Sequence, residues 1–269
     1  MSDASTPLST LADAPSSGRL FPGLAARLPI GRLGRAFHAF QAATSTQDEL
    51  RRLAEAGAPE GTVVVADHQT RGRGRHGRQW LDAPGANLLV SVLLRPEIPP
   101  ARVPQLSLLA VVAAAEALTL ATGVAVGIRW PNDLQVGERK LGGILAEAVT
   151  AGERVEHVTL GLGINVNQTE FPADLAPRVT SLALEARLML DREAILEALL
   201  GSLDRWYARY LREGFAPVRA GWCRASLTLG QPVSTAGVTG VAEDLDADGA
   251  LIVRTREGTR VRLVAGELR

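Results

Sequence analysis

Lysine is almost absent. Of the 29 lysine-plus-arginine residues in this 269-residue chain, a single one, Lys140, is lysine. That scarcity excludes a lysine-rich surface. It also asks why one position took a compact, strongly hydrated point charge where every other cation is a flat guanidinium fork. Cysteine is equally scarce: with Cys223 alone, neither an intramolecular disulfide nor a cysteine metal cluster can form, and a reducing, cytoplasmic setting is expected. Net charge is missing too. The 29 acids balance the 29 bases, which argues against a globally basic nucleic-acid binder and leaves room for a local basic patch. No secretory signal opens the sequence, because residues 1–17 are rich in Ser, Ala, Pro and Asp and lack a basic region followed by an apolar one. Residues 1–34 are therefore expected to form a flexible N-terminal tail. A long uncharged run is also lacking: residues 106–128 come nearest, but Glu116 interrupts them and Gly123 suits a helix C-cap. They are expected to form a buried helix and a strand, with no membrane partner.

What is present suits a globular protein, with 46% hydrophobic and 22% charged residues. A short run at 35–40 suggests an edge strand. Thr44, Ser45 and Thr46 offer an N-cap to a helix with Asp48 and Glu49 in its first turn and an end near Gly57. Strands are expected at 62–68, 87–94, 124–130, 134–136, 141–149 and 155–166, with helices at 106–121 and at 191–212, the latter capped by Asp191. From about Gly230 the style changes to short strands separated by Gly and Asp turns, which predicts a small all-β barrel. The fold class is thus α+β, with a mixed-sheet domain over 35–225 and a β-barrel over 226–269.

The strongest local signal runs from Gln69 to Trp80, with Arg71, Arg73, Arg75 and Arg78 interleaved with Gly72, Gly74 and Gly77. Glycines let a backbone approach a ligand and present its N–H groups, and arginines grip phosphate or carboxylate. Cations this dense repel one another, so the loop is expected to order when an anion arrives. It lacks the Walker spacing. Trp80 suits either a core position or a stacking surface for a base. Trp130-Pro131-Asn132-Asp133 places polar groups at a strand end. Gly142-Gly143 follows Lys140, and Gly161-Leu162-Gly163 leads to Asn165; both glycine pairs suggest close approach of a ligand to the backbone. Together these segments describe an enclosed site for an anionic nucleotide and a small second ligand.

Taken in order, Ser45-Thr46-Gln47, the Gly-Arg loop ending in Trp80, Gly85-Ala86-Asn87-Leu88, Arg129-Trp130-Pro131-Asn132-Asp133, Arg139-Lys140-Leu141-Gly142-Gly143-Ile144-Leu145 and Gly161-Leu162-Gly163-Ile164-Asn165 resemble the biotin protein ligases over about residues 38–269. The resemblance implies a catalytic domain related in fold to class II aminoacyl-tRNA synthetases and a C-terminal SH3-like barrel. It implies a two-step reaction: biotin and Mg-ATP give biotinyl-5′-AMP, and a lysine of a biotin carboxyl carrier protein then takes the biotin. By similarity, Ser45, Thr46, Gln47, Gln69, Arg73, Gly74, Arg75, Lys140 and Gly143 bind biotin. Arg73, Arg75, Arg78, Trp80, Asn132, Lys140 and Asn165 bind the adenylate. Lys140, Arg75 and Asp133 are the catalytic candidates, and no metal ligand from the protein is assigned. The family often has Asn where Gln47 stands, which keeps the amide and adds a methylene. The bifunctional members carry an N-terminal winged helix; residues 1–34 show no recognition helix, so a monofunctional ligase without a DNA partner is expected. The family commonly dimerises through its catalytic sheet, which makes a homodimer the implied assembly. A lipoate or octanoyl ligase shares the fold, but the Gly-Arg loop and Lys-Leu-Gly-Gly-Ile-Leu favour biotin. An RNA-binding Arg loop is disfavoured by the zero net charge.

Overall fold

The computed structural model describes residues 20–28, 31–235, 237–264, 266 and 268. Residues 1–19 of the expected tail lie outside the described residues. From Leu20 onward the expectation of a tail is corrected. Leu20, Phe21, Leu24 and Leu33 are buried around a short helix, α1 (Pro22–Ala25). Apolar side chains spaced through this stretch find a surface, and acids fasten it. Glu193 accepts from the Leu24 N–H, Arg27 pairs with Glu197 at 2.6 Å, and Asp204 Oδ1 accepts from the Arg32 N–H at 2.7 Å.

The chain continues through β1 (Ala36–Ala43), α2 (Thr46–Glu55), β2 (Thr62–Gln69), β3 (Leu88–Leu94), α3 (Val103–Thr122), β4 (Gly127–Arg129), β5 (Asp133–Val136), β6 (Arg139–Ala151) and β7 (Arg154–Ile164). These strands form one sheet in the order β1-β2-β3-β7-β6-β5-β4, parallel between β1 and β2 and antiparallel elsewhere. Then come α4 (Leu182–Ala186), α5 (Arg192–Glu213) and α6 (Ala216–Ala225). A four-stranded antiparallel sheet follows, made of β8 (Pro232–Thr235), β9 (Val238–Leu245), β10 (Leu251–Thr255) and β11 (Arg260–Leu263), in the order β11-β10-β9-β8, as an SH3-like C-terminal unit.

Alternation along β2 explains the layering. Successive side chains of a strand point to opposite faces. Val63 and Val65 join the main core with α3 and α5, whereas Val64 and Ala66 pack with Leu50 and Ala54 of α2. Both faces are covered, so the run reads as continuously apolar rather than alternating. Helix α3 is apolar nearly all round because it is buried between the sheet and α5 and α6. The stretch 100–122 is long and apolar enough to cross a membrane, yet 67% of its most apolar part is buried inside this fold. Gly123 caps it at φ 72°, as expected, and the Asp191 side chain caps α5 by accepting from the Glu193 and Ala194 N–H groups.

The strand expected at 124–130 shrinks to β4, because Val124 and Val126 are buried by packing without entering the ladder. Helices α4 and α6 were not foreseen. In α6, Gly221 sits where the Trp206 ring and Val112 come close, so a helix-weakening residue serves packing.

Candidate active site

Every residue that the sequence marked as catalytic or binding lines one cavity of about 470 Å³ beside the 69–80 loop. The cavity lies on the α2 side of the large sheet. Gly143 pairs with Gly163 and Leu145 with Gly161 across β6 and β7, so these four share one face. The glycines there do something other than expected. A Cβ on Gly161 would sit 3.0 Å from Gln47 Cδ, and one on Gly163 only 2.8 Å from the Trp80 ring. They admit two of the protein's own side chains against the strand, and those side chains face the cavity.

Around Gly161 the polar groups are neutral and buried. Ser45 holds the N-cap position of α2 but its side chain does not cap the helix. The Ser45 hydroxyl oxygen is buried without a hydrogen-bond partner, and so is Gln47 Oε1. Gln47 is fixed by its other amide atom, Nε2, which donates to the Leu145 carbonyl at 3.0 Å. The helix start is served by Gln69 instead, whose Oε1 accepts from the Thr46 N–H at 2.8 Å and from the Thr46 hydroxyl at 3.1 Å. Ser91 donates to Thr46 Oγ1 at 2.8 Å. A buried polar atom left unpaired costs about 1–3 kcal/mol. Two of them lie beside one strand pair in this cavity.

Around Gly143 the groups are charged and already paired. Asp133 lies opposite Gly143 in the β5–β6 ladder, and Lys140 Nζ donates to its Oδ1 at 2.8 Å. A Cβ on Gly143 would stand 3.5 Å from Lys140 Nζ. Arg75 donates to Asn132 Oδ1 at 2.9 Å, while Asn132 Nδ2 donates to the Ile144 carbonyl at 2.6 Å. Asn165 Nδ2 donates to the Thr180 carbonyl at 3.0 Å.

The loop is more tightly matched than its run of arginines suggests. Arg73 meets Glu147 on β6 through two hydrogen bonds, of 3.2 and 2.8 Å, and Asp48 on α2 at 2.9 Å. Glu147 also pairs with Arg51 at 3.1 Å. Counting the loop's cations missed the acids that meet them, and both Asp48 and Glu147 went unmarked. Backbone bonds from the Gly74 N–H to the Arg78 carbonyl and from the Trp80 N–H to the Gly72 carbonyl close the turn. Its far end is fastened by Asp82, which accepts from the Gln69 N–H at 3.3 Å and lies 2.8 Å from His68 Nδ1. Burial pushes the Asp82 carboxyl above the ordinary carboxylate range, against the opposing pull of His68. Trp80 lines the cavity, with Nε1 buried and unpartnered. Sequence reasoning also missed the remaining wall: Phe171, Leu175, Arg178 and Val179 from an irregular stretch, and Leu268, whose carbonyl accepts from Arg129 Nη2 at 2.9 Å. Irregular stretches carry no periodicity, so only topology brings them here.

A Biotin/lipoate A/B protein ligase family model matches residues 37–165, and a Biotin protein ligase C terminal domain model matches residues 228–268. The biotin–[acetyl-CoA-carboxylase] ligase of Paracoccus denitrificans is 35% identical over 226 residues, spanning 81% of this chain and 93% of that one. The chain belongs to the biotin protein ligase family. The bifunctional ligase/repressor BirA of Bacillus subtilis is 38% identical over 223 residues, 81% of this chain and 69% of the relative. Among solved structures, the biotin protein ligase of Aquifex aeolicus in complex with biotin and ATP superposes with a TM-score of 0.77 at 30% identity, covering 87% of this chain and 98% of that one. For this family member, the neutral and the charged groups above share a single cavity.

Proposed function

We propose a division of labour in the cavity of this ATP-dependent biotin protein ligase. The enzyme activates biotin as biotinyl-5′-AMP and transfers it to a lysine of the biotin carboxyl carrier of acetyl-CoA carboxylase. The neutral cluster takes the ureido ring. Gln47 Oε1 accepts from a ring N–H, and the Ser45 hydroxyl donates to the ring carbonyl. Thr46 and Gln69 hold α2 and the strand end so that these two atoms stay aimed. The observation that carries this reading is the pair of buried, unpartnered oxygens in the same cavity as the paired cations.

The charged cluster brings two anions together. Biotin's carboxylate must approach the α-phosphate of ATP, so mutual repulsion is the first barrier. Fixed cations lower it most in a site closed to water. Lys140 reaches carboxylate and phosphate oxygens from one side and Arg75 from the loop, each exchanging its present partner, Asp133 or Asn132, for the ligand. Trp80, braced by Gly163, offers its face to the adenine, and Asn132 and Asn165 line the nucleotide's path. Arg73 and Arg78 complete the anion-facing loop, with Gly74 letting its backbone close in. The carboxylate oxygen forms a bond to the α-phosphorus and pyrophosphate leaves. The carrier's lysine then attacks the acyl carbon and AMP leaves.

Magnesium, the usual companion of ATP, would enter on the nucleotide's phosphates and offset their charge. Among the described residues, no group of three or more His, Cys, Asp or Glu could hold a metal ion. A role in the cytoplasm, without a DNA partner, is part of the same proposal. So is a homodimer through the catalytic-domain sheet. The test is ATP-dependent transfer of biotin to a carrier domain by the native chain and by Lys140→Arg. The variant keeps the charge and loses the point geometry, and adenylation is expected to fall roughly 10²–10³-fold. Near-normal turnover by the variant would sink the assigned role of Lys140, and no transfer by the native chain would sink the whole reading.

A further inference from the structure

Gly85-Ala86-Asn87-Leu88 leads into β3, and Asn87 is fully buried although its side chain is polar. Gly85 holds a left-handed backbone at φ 75°, and its N–H donates to the Asp67 carbonyl at 3.2 Å. The β3–β7 ladder ends at the pair Leu88 and Ile164. Beyond that pair the Asn87 side chain continues the bonding. Its Oδ1 accepts from the Val166 N–H at 3.1 Å, and its Nδ2 donates to Gln168 Oε1 at 2.6 Å. The Ala86 carbonyl accepts from the Asn167 N–H at 2.8 Å. Backbone donors fix both amides: the Val166 N–H requires the oxygen of Asn87, and the Ala83 N–H, 3.2 Å away, requires the oxygen of Gln168. The Asn87 carbonyl is held in turn by Arg192 of α5, whose Nη1 donates to it at 3.0 Å.

The segment fixed in this way carries cavity wall. Asn165 and Gln168 line the cavity, and Phe171 and Leu175 line it farther along the same stretch. The far end of the stretch is tied as well. The Thr180 N–H donates to the Lys140 carbonyl at 2.8 Å, and the Thr180 carbonyl accepts from Asn165 Nδ2 at 3.0 Å. Residues 168–179 therefore hang between two anchors, one at Asn87 and one beside Lys140. We infer that Asn87 is a positioning residue for the nucleotide: acting through Gln168, it sets where this wall stands against the cavity. The place requires an amide, because it must accept from one neighbour and donate to the other; leucine does neither, and aspartate has no donor when ionised. The inference rests on the reading that puts the nucleotide beside Asn165, and adds to it a residue that does not itself line the cavity.

The experiment measures the KM for ATP in biotin-dependent pyrophosphate release, beside biotin Kd by calorimetry. The proteins are the full-length native chain, Asn87→Leu, Gln168→Met and the double variant. Absence of release from the native chain would overturn the ligase reading and this inference with it; release by the native chain leaves the variants to judge Asn87 alone. Each single variant is expected to raise the KM for ATP about tenfold, as the loss of a buried hydrogen bond, and to leave biotin Kd within about twofold. Both break the same bond, so the double variant is expected near tenfold again, where independent effects would multiply to about a hundredfold. Gln105→Leu is the comparison for a merely structural loss. Gln105 is also buried and accepts from the Tyr210 hydroxyl at 2.8 Å, away from the cavity lining. That variant is expected to lower the melting temperature and leave the KM for ATP unmoved. A native KM for ATP in Gln168→Met would overturn the inference, and this variant carries the test should Asn87→Leu fail to fold. Equal rises in Gln105→Leu, a biotin Kd rising in step with the KM for ATP, or a fully multiplicative double variant would overturn it too.

Discussion

The two clusters in the cavity face opposite problems, and they stand one register step apart on the same pair of strands. Around Gly161 the polar atoms are neutral, buried and partly unpaired. Around Gly143 they are charged and already paired with one another. A neutral hydrogen-bonding site can wait with an atom unsatisfied, because the cost is of the order of 1–3 kcal/mol and the ligand removes it. A charged site cannot wait in that way, because an isolated charge out of water costs far more. Lys140 waits on Asp133, and Arg73 on Asp48 and Glu147. The difference teaches where each cluster's specificity lies: in atoms left open at one, in partners that must be exchanged at the other.

That contrast can be broken most severely at the charged cluster. Lys140→Ala is expected to lower single-turnover adenylation by roughly 10³-fold while biotin affinity falls far less, which rapid-quench kinetics beside calorimetric titration would resolve. Gly163→Val comes next. Its Cβ would lie 2.8 Å from the Trp80 ring, so the ring must leave the strand. Loss of base stacking is worth about 1–3 kcal/mol, which predicts an increase in the KM for ATP of roughly ten- to a hundredfold with the biotin KM little changed. A smaller effect belongs to Gln47→Ala, which removes the open oxygen and the bond to Leu145; biotin Kd is expected to rise about tenfold, with kcat nearly kept. The smallest separates the clusters without mutation. Raising the salt from about 0.05 to 0.5 M should weaken ATP binding several-fold and biotin binding distinctly less, since screening acts on charge and the triphosphate carries several charges where biotin carries one carboxylate.

Much of this was legible in the sequence where local chemistry decides. Gly123 ends a helix because an αL cap suits glycine, Asp191 starts one by capping, and the β5–β6 hairpin turns at Gly137. The order of the site motifs located the cavity. What was not legible depends on partners far apart in sequence. The segment 20–34 lacks periodicity, yet among its described residues Leu20, Phe21, Leu24 and Leu33 are buried, and Leu24 and Arg32 are fastened to acids on α5. Arg73 looked like an open anion ligand because its counterions lie 25 residues before and 74 residues after it, brought close only by the sheet. Ser45 looked like a helix cap, and its position is that of one; only the structure reveals that its hydroxyl leaves the helix uncapped and has no partner. Gly161 and Gly163 suggested ligand approach, whereas the closest approach belongs to Gln47 and Trp80.

The most direct test crosses the two clusters in one measurement: biotin Kd by calorimetry and single-turnover adenylation rate, both for Ser45→Ala and for Lys140→Arg. The account predicts that Ser45→Ala weakens biotin about tenfold and leaves the saturated adenylation rate within a few-fold of native, while Lys140→Arg holds biotin within a few-fold and slows adenylation by roughly 10²-fold or more. If both variants lost affinity and rate in the same proportion, the cavity would be acting as one undivided site, and the division between a neutral and a charged cluster would be wrong.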